Sequence, residues 1–240
     1  MGSKEERRFS GVLGADYDLF MIAYPHFWTL QGKVAREVAR ISGARVSVLE
    51  IGCGPGPTSA AVLEADPRMS LACVENERVM VDQATEYLSP YIQAGRVRLI
   101  HADALEYLKA CDSSSFDALV SGWTLHNFLV EYRQDVHNEI YRILRPGGLF
   151  INGDKYACDD AAKHALSLEW SLNRFYEVYT PAGHIALRDG WIIHMIEDNQ
   201  PGVIMYEGAA TTDLKRVGFS EVRTVWREQM EAVIIAQKLS

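Results

Sequence analysis

Five short apolar runs, at 46–51, 70–75, 97–101, 116–121 and 149–153, alternate with stretches of helical spacing. This alternation restricts the fold more than any other feature. The intervening helices are expected at 58–65, 79–88, 104–110 and 132–144; in the last of these Val136, Ile140, Ile143 and Leu144 recur on one face. Strands separated by helices cannot pair as hairpins, so they form a parallel sheet wound on both faces through right-handed crossovers. Arg145-Pro146-Gly147-Gly148 is read as the end of the last helix and the turn into the fifth strand.

After residue 158 the pattern changes. Residues 159–200 are rich in Trp, Tyr, His and Arg and carry no strand signal until their far end, which fits a helical cap. A helix returns at 209–217 and is capped by Gly218. Runs at 221–226 and 230–237 then flank Arg227-Glu228-Gln229 and read as an antiparallel hairpin closing the sheet. Before the first strand a helix is expected over 29–41. The whole reads as α/β, a doubly wound, seven-stranded and mostly parallel sheet with an antiparallel C-terminal hairpin. It is expected to form one domain over 1–240, with a helical lid at 1–43 and an inserted cap at 159–200.

Composition excludes several functions. With 48% hydrophobic and 23% charged residues, the chain has ordinary globular usage. A net charge of −8 argues against a broad nucleic-acid footprint. The apolar runs are too short to span a membrane, and the charged start Met1-Gly2-Ser3-Lys4-Glu5-Glu6 is unlike a secretory signal, so a cytoplasmic protein is expected. Cys53, Cys73, Cys111 and Cys158 form no Cys-x-x-Cys pair, and the seven histidines show no common ligand spacing. No metal is indicated; homodimerisation is left open.

The chemistry begins at Glu50-Ile51-Gly52-Cys53-Gly54-Pro55-Gly56-Pro57. Glycines at a strand-to-helix turn let the backbone bend and a ligand approach. A dinucleotide loop would need Gly-x-Gly-x-x-Gly and free N–H groups for a pyrophosphate. Here Pro57 occupies the third glycine position, Pro55 removes a donor, and Glu50 brings negative charge. The loop suits a ligand that is not a phosphate, such as S-adenosylmethionine (SAM), a cationic sulfonium.

The motif Glu50-x-Gly52-x-Gly54-x-Gly56 resembles the first motif of the class I, Rossmann-like SAM-dependent methyltransferases of small-molecule type. The resemblance covers about 46–155 and the closing hairpin. It implies that Glu75 accepts the ribose hydroxyls with Asn76 beside it, that Asp103-Ala104 meets the adenine, and that Arg145-Pro146-Gly147-Gly148 is the turn before the fifth strand. Cys53, Gly122 and Trp123 join this cofactor set. Phe27 is a further candidate, from the aromatic segment Tyr24-Pro25-His26-Phe27-Trp28, because an aromatic face attracts a sulfonium. Taken alone, Asp103 reads equally well as the N-cap of the helix that follows it.

On the acceptor side, Ser121-Gly122-Trp123-Thr124-Leu125-His126 borders the transfer zone in this fold, which makes His126 a candidate general base or a residue satisfying a backbone carbonyl. Tyr176, and Tyr17 in a Tyr-Asp segment that folds over the SAM site in similar enzymes, are the other catalytic candidates. Arg174, Tyr179 and Arg188 are candidate contacts for an acidic substrate. The layout of lid, cap and strand-end Asp154-Lys155-Tyr156 is also partly similar to the carboxy-SAM synthase group. The leading expectation is methyl transfer to a small molecule. The alternatives are carboxy-SAM-type chemistry, intramolecular cyclisation of SAM to azetidine-2-carboxylate and methylthioadenosine, or a SAM-binding module without turnover.

Overall fold

The computed structural model describes residues 19–239. Tyr17 and the lid segment before residue 19 lie outside them. In chain order the elements are α1 (Phe20–Ala23), α2 (Phe27–Val38), β1 (Val46–Ile51), α3 (Pro57–Ala65), β2 (Met69–Glu75), α4 (Arg78–Tyr87), α5 (Ser89–Gln93) and β3 (Val97–His101). These are followed by α6 (Ala104–Ala110), β4 (Phe116–Gly122), a 3-10 turn (Leu125–Asn127), α7 (Val130–Ile143) and β5 (Leu144–Lys155). The C-terminal part holds α8 (Ala161–Tyr179), α9 (Ile185–Asp198), α10 (Glu207–Val217), β6 (Ser220–Glu228) and β7 (Glu231–Gln237).

The seven strands form one sheet in the order β3-β2-β1-β4-β5-β7-β6. Strands β1 to β5 are mutually parallel, and β7 runs antiparallel to both β5 and β6. The expected α/β architecture is therefore present. Chain order reverses between β1 and β4, and at such a switch point the strand ends leave a crevice for a ligand.

Both faces of the central strands are covered. On β1, Val48 packs into one core with Leu71, Val120 and Ile151, while Leu49 and Ile51 pack into the other with Val74, Leu119 and Phe150. Burial of each such aliphatic side chain is worth about 1.5–3 kcal/mol, which explains why these strands read as continuous apolar runs. The first core also receives Phe20, Tyr24 and Phe27 from the N-terminal helices, and Phe175, Tyr179, Trp191 and Met195 from α8 and α9. This aromatic pile stands beside the carboxyl ends of the strands.

Several boundaries differ from the sequence expectation, for local reasons. Segment 145–148 lies within β5: Phe116 pairs with Leu144 and Ala118 with Leu149, so the intervening residues bulge, with Gly147 at φ +77°. The helix before it stops at Ile143. The hairpin turn is Gln229-Met230, because Glu228 still pairs with Glu231. The 159–200 stretch resolves into α8 and α9, and the short helix α5, with Pro90 in its first turn, was not anticipated. Among the described residues no helix is long and apolar enough to cross a membrane.

Candidate active site

A cleft of about 130 Å³ opens at the switch point, over the carboxyl ends of β1, β2 and β4. Its floor is the glycine loop. Gly52, Gly54 and Gly56 have φ of +64°, +53° and +103°, which residues with a Cβ rarely adopt. A Cβ on Gly52 would come within 2.2 Å of Thr124, whereas one on Gly54 would meet nothing within 4 Å. Gly52 is thus fixed by packing, and Gly54 faces open space. Pro57 opens α3, where its missing N–H costs nothing.

Glu75 at the end of β2 anchors the loop. Its Oε2 accepts from Gly54 N–H at 2.9 Å, and its Oε1 accepts from the Asn76 and Glu77 N–H groups at 2.9 Å each. Burial raises its pKa, while those three donors work in the opposite direction. Asp103 does two jobs. It caps α6 through Glu106 N–H at 2.9 Å, and it also lines the cleft, where its Oδ2 accepts from Tyr132 Oη at 2.7 Å.

Gly52, Cys53, Gly54, Glu75, Asn76 and Asp103 all lie on the wall of the cleft. Ala104, Gly122 and Trp123 lie there too. Gly56 shapes the loop without reaching the wall. Glu50 is fully buried behind the loop, bonded by Ser59 Oγ, with its pKa pushed up by burial to about 8. Phe27 sits behind Trp123, ring stacked on ring at 6.5 Å between centroids, and does not line the cleft.

Sequence reasoning missed Gln31, Asn127 and Tyr132 on this wall. Thr58 Oγ1 donates to Gln31 Oε1 at 2.5 Å, which leaves the buried Gln31 Nε2 with no partner. Asn127 Oδ1 and Trp123 Nε1 are likewise buried and unpartnered. Buried polar atoms without partners cost about 1–3 kcal/mol each, and on a cleft wall they mark where a ligand supplies the missing bonds. The donor set fits SAM: carboxylates for a cation and hydroxyls, amides for an amino-acid moiety, and an indole.

Trp123 divides the cleft from a second, much smaller cavity of about 10 Å³, room for about one water. Its φ is +57°, a conformation costing about 1–3 kcal/mol in a bulky residue. It is held there by a Trp123 N–H to Gly153 O bond of 2.9 Å and by the rings of Phe20 and Tyr24 at 5.1 and 5.0 Å. The small cavity is walled by Phe20, Tyr24, Trp123 and Trp191 and floored by His126, Lys155 and His194.

Beneath it lies a buried polar cluster. His126 Nδ1 donates to Asp154 Oδ1 at 2.5 Å, which turns Nε2 toward Asp198 Oδ2, 3.7 Å away. His194 Nε2 is 3.3 Å from the same oxygen, and Lys155 Nζ donates to it. Burial opposes the charge on Asp198, but Lys155, His194 and His126 outweigh it and hold the carboxyl below its usual range. His126, Lys155, His194, Asp154 and Asp198 are each less than a tenth exposed.

None of the other acceptor-side candidates on α8 and α9 lines either cavity. Tyr176 is 52% exposed, with the Arg188 guanidinium 4.8 Å from its ring centroid. Arg188 also bonds Asp189 and Thr180, and Arg174 pairs with Glu177 at 3.0 Å. Tyr179 is buried and donates its hydroxyl to Leu19 O at 2.9 Å. Arg188 ties α9 to the end of α8, Arg174 pairs along α8, and Tyr179 ties α8 to the start of α1.

A family model described as a methyltransferase domain matches residues 48–148. Demethylmenaquinone methyltransferase of Leptospira interrogans is 30% identical over 121 residues, which is 50% of this chain and 47% of that protein. Carboxy-S-adenosyl-L-methionine synthase of Photobacterium profundum is 23% identical over 151 residues, 62% of this chain and 60% of that protein. The matched part thus spans about half to three-fifths of these relatives. The fold is shared with an O-methyltransferase family protein from Burkholderia thailandensis, at a TM-score of 0.69 and 17% identity, over 98% of this chain and 63% of that one.

Proposed function

Residues 48–148 carry a methyltransferase domain, and from that premise we propose that the protein transfers the methyl group of SAM to a small-molecule acceptor. The observation that carries this reading is the acidic glycine-loop cleft with its unpartnered Gln31 and Asn127 atoms, meeting a second cavity across Trp123. When bound, SAM supplies an electrophilic methyl group on a positively charged sulfur. Glu75 would hold the ribose with the lone pairs its loop bonds leave free, and Asp103 the adenine amino group. Gln31 and Asn127 would take the amino-acid end. Trp123 presents an aromatic face that favours a cation.

The second cavity has room for about one water-sized group, so only the reacting end of the acceptor would reach its floor of His126, Lys155 and His194. These residues, rather than Arg174, Tyr179 and Arg188, are the acceptor contacts proposed here. Transfer needs the acceptor atom within about 3–3.5 Å of the methyl carbon and in line with its bond to sulfur, so the Trp123 indole that separates the two spaces would have to swing aside as the acceptor binds. The helices α1, α2, α8 and α9 would serve as lid and cap, excluding water from the transfer.

The test is incubation of the purified chain with SAM, first alone and then with pools of small hydroxyl-bearing metabolites, followed by mass spectrometry against a no-enzyme control. Acceptor-dependent S-adenosylhomocysteine supports the reading. Enzyme-dependent methylthioadenosine from SAM alone overturns it and brings forward intramolecular cyclisation.

A further inference from the structure

The cluster under the small cavity holds more polar groups than positioning an acceptor requires. We propose that His126, His194 and Asp198 form a binding site for a divalent transition-metal ion that holds the acceptor through a hydroxyl or thiol group. The acceptor role rests on the methyl-transfer reading; the metal site itself does not.

Geometry is the first support. His126 Nε2 and His194 Nε2 lie 3.7 and 3.3 Å from Asp198 Oδ2, and the three ligand atoms all fall within 4.8 Å of one another. Ligands bound at about 2.0–2.2 Å stand roughly 3–3.5 Å apart around one ion, so only small side-chain movements would close the set. The register of α9 places His194 and Asp198 one turn apart on its buried face. The turn after β4 brings His126 to them.

The surroundings are those of a ligating histidine. A metal-bound imidazole usually donates its other N–H to a carboxylate, which fixes ring and tautomer. Asp154 does this for His126 at 2.5 Å, and is itself held by the backbone N–H groups of Leu125 and Lys155 at 2.9 and 2.8 Å. The small aromatic cavity beyond leaves room for about one water-sized ligand atom on one side of the set.

The chemistry of the donor set is the third support. Two imidazoles and a carboxylate suit Zn²⁺, Fe²⁺ or Co²⁺ better than Mg²⁺ or Ca²⁺. Lys155 donates to the same Asp198 oxygen and is the natural competitor of the ion. In the reaction the acceptor O–H or S–H gives its proton to solvent and its freed electron pair forms the bond to the methyl carbon. The sulfur–methyl bond breaks with its pair remaining on S-adenosylhomocysteine.

The experiment uses the untagged full chain, stripped with a chelator and titrated with Co²⁺. Visible d–d absorption saturating at one equivalent, and abolished by Zn²⁺, is expected. His194→Ala and Asp198→Asn should each weaken Co²⁺ binding at least tenfold, and Lys155→Met should tighten it severalfold. Circular dichroism reports whether each variant folds. X-ray absorption on the Zn²⁺-loaded wild type gives a readout independent of any variant, with two imidazoles and no sulfur expected. Absence of d–d bands in the wild type, sulfur scattering, or unchanged binding in folded Asp198→Asn overturns the site. A one-equivalent site in a chain that never forms S-adenosylhomocysteine would leave the metal proposal standing while methyl transfer fails. Equal S-adenosylhomocysteine formation by stripped and loaded enzyme would overturn the ion's role toward the acceptor.

Discussion

Asp154, at the end of β5, holds the imidazole of His126 through Nδ1 at 2.5 Å, and neither side chain is open to solvent. The carboxylate also accepts from Leu125 N–H, His126 N–H, Asn152 Nδ2 and Lys155 N–H. One side chain therefore fixes both the 3-10 turn after β4 and the ring it presents to the small cavity.

Asp154→Asn is expected to lower turnover by about 10–100-fold, because the ring loses its orienting carboxylate. It should also lower stability by about 1–3 kcal/mol, since an amide NH₂ would now face donors. SAM affinity, measured by calorimetry, should fall far less than turnover, because among the proposed SAM contacts only Asn127 rides on the turn that Asp154 holds. A large loss of SAM affinity would contradict this division of labour.

The glycine loop separates packing from ligand access. Gly52→Ala places a Cβ 2.2 Å from Thr124 and is expected to destabilise the fold strongly, while Gly54→Ala projects into open space. The positive φ of Gly54 should cost about 1 kcal/mol, yet SAM binding should weaken at least tenfold. Thermal melts and calorimetry on the two variants check both halves.

Glu50 makes stability depend on pH. Its pKa is about 8 in the folded chain against an ordinary 4.5, so the folded state retains a proton that the unfolded chain releases. Its contribution is intact below pH 4.5 and declines by about 1.4 kcal/mol per unit as pH rises toward 8. Denaturant midpoints of wild type and Glu50→Gln should therefore diverge over that window, in favour of the variant at high pH. Parallel curves would refute the assignment.

Tyr132→Phe removes the bond to Asp103 Oδ2 and the one accepted from Leu105 N–H, while Asp103 still caps α6 through Glu106 N–H. SAM KM should rise while stability falls by only about 0.5–1.5 kcal/mol. Asp103→Ala should affect both, adding a cap loss of about 1 kcal/mol. Steady-state kinetics and melting curves distinguish the two variants.

Much of the cofactor side was legible because it is local. Gly52, Gly54, Glu75 and Asp103 sit at strand ends, and a strand end is marked in sequence by its apolar run stopping. Gln31 was not legible, since it precedes the loop by a whole helix and a strand and reaches the cleft only where Thr58 bonds it. Arg174 and Arg188 were read as anion contacts from their charge, but partners within reach on the same helical pair engage them first.

The polar cluster marks the division most clearly. The i,i+4 spacing of His194 and Asp198 was in the sequence as a faint signal, and it shows only that two polar groups share a helix face. That the face is buried, and that it meets His126 and Asp154 from the far side of β4, follows from α9 packing against the sheet. Sequence alone determined the order of strands and helices and the chemistry at the strand ends, because those follow from neighbours along the chain. Tertiary structure decided which of seven histidines share a cavity, because side chains 68 positions apart are brought together only by packing of the whole core.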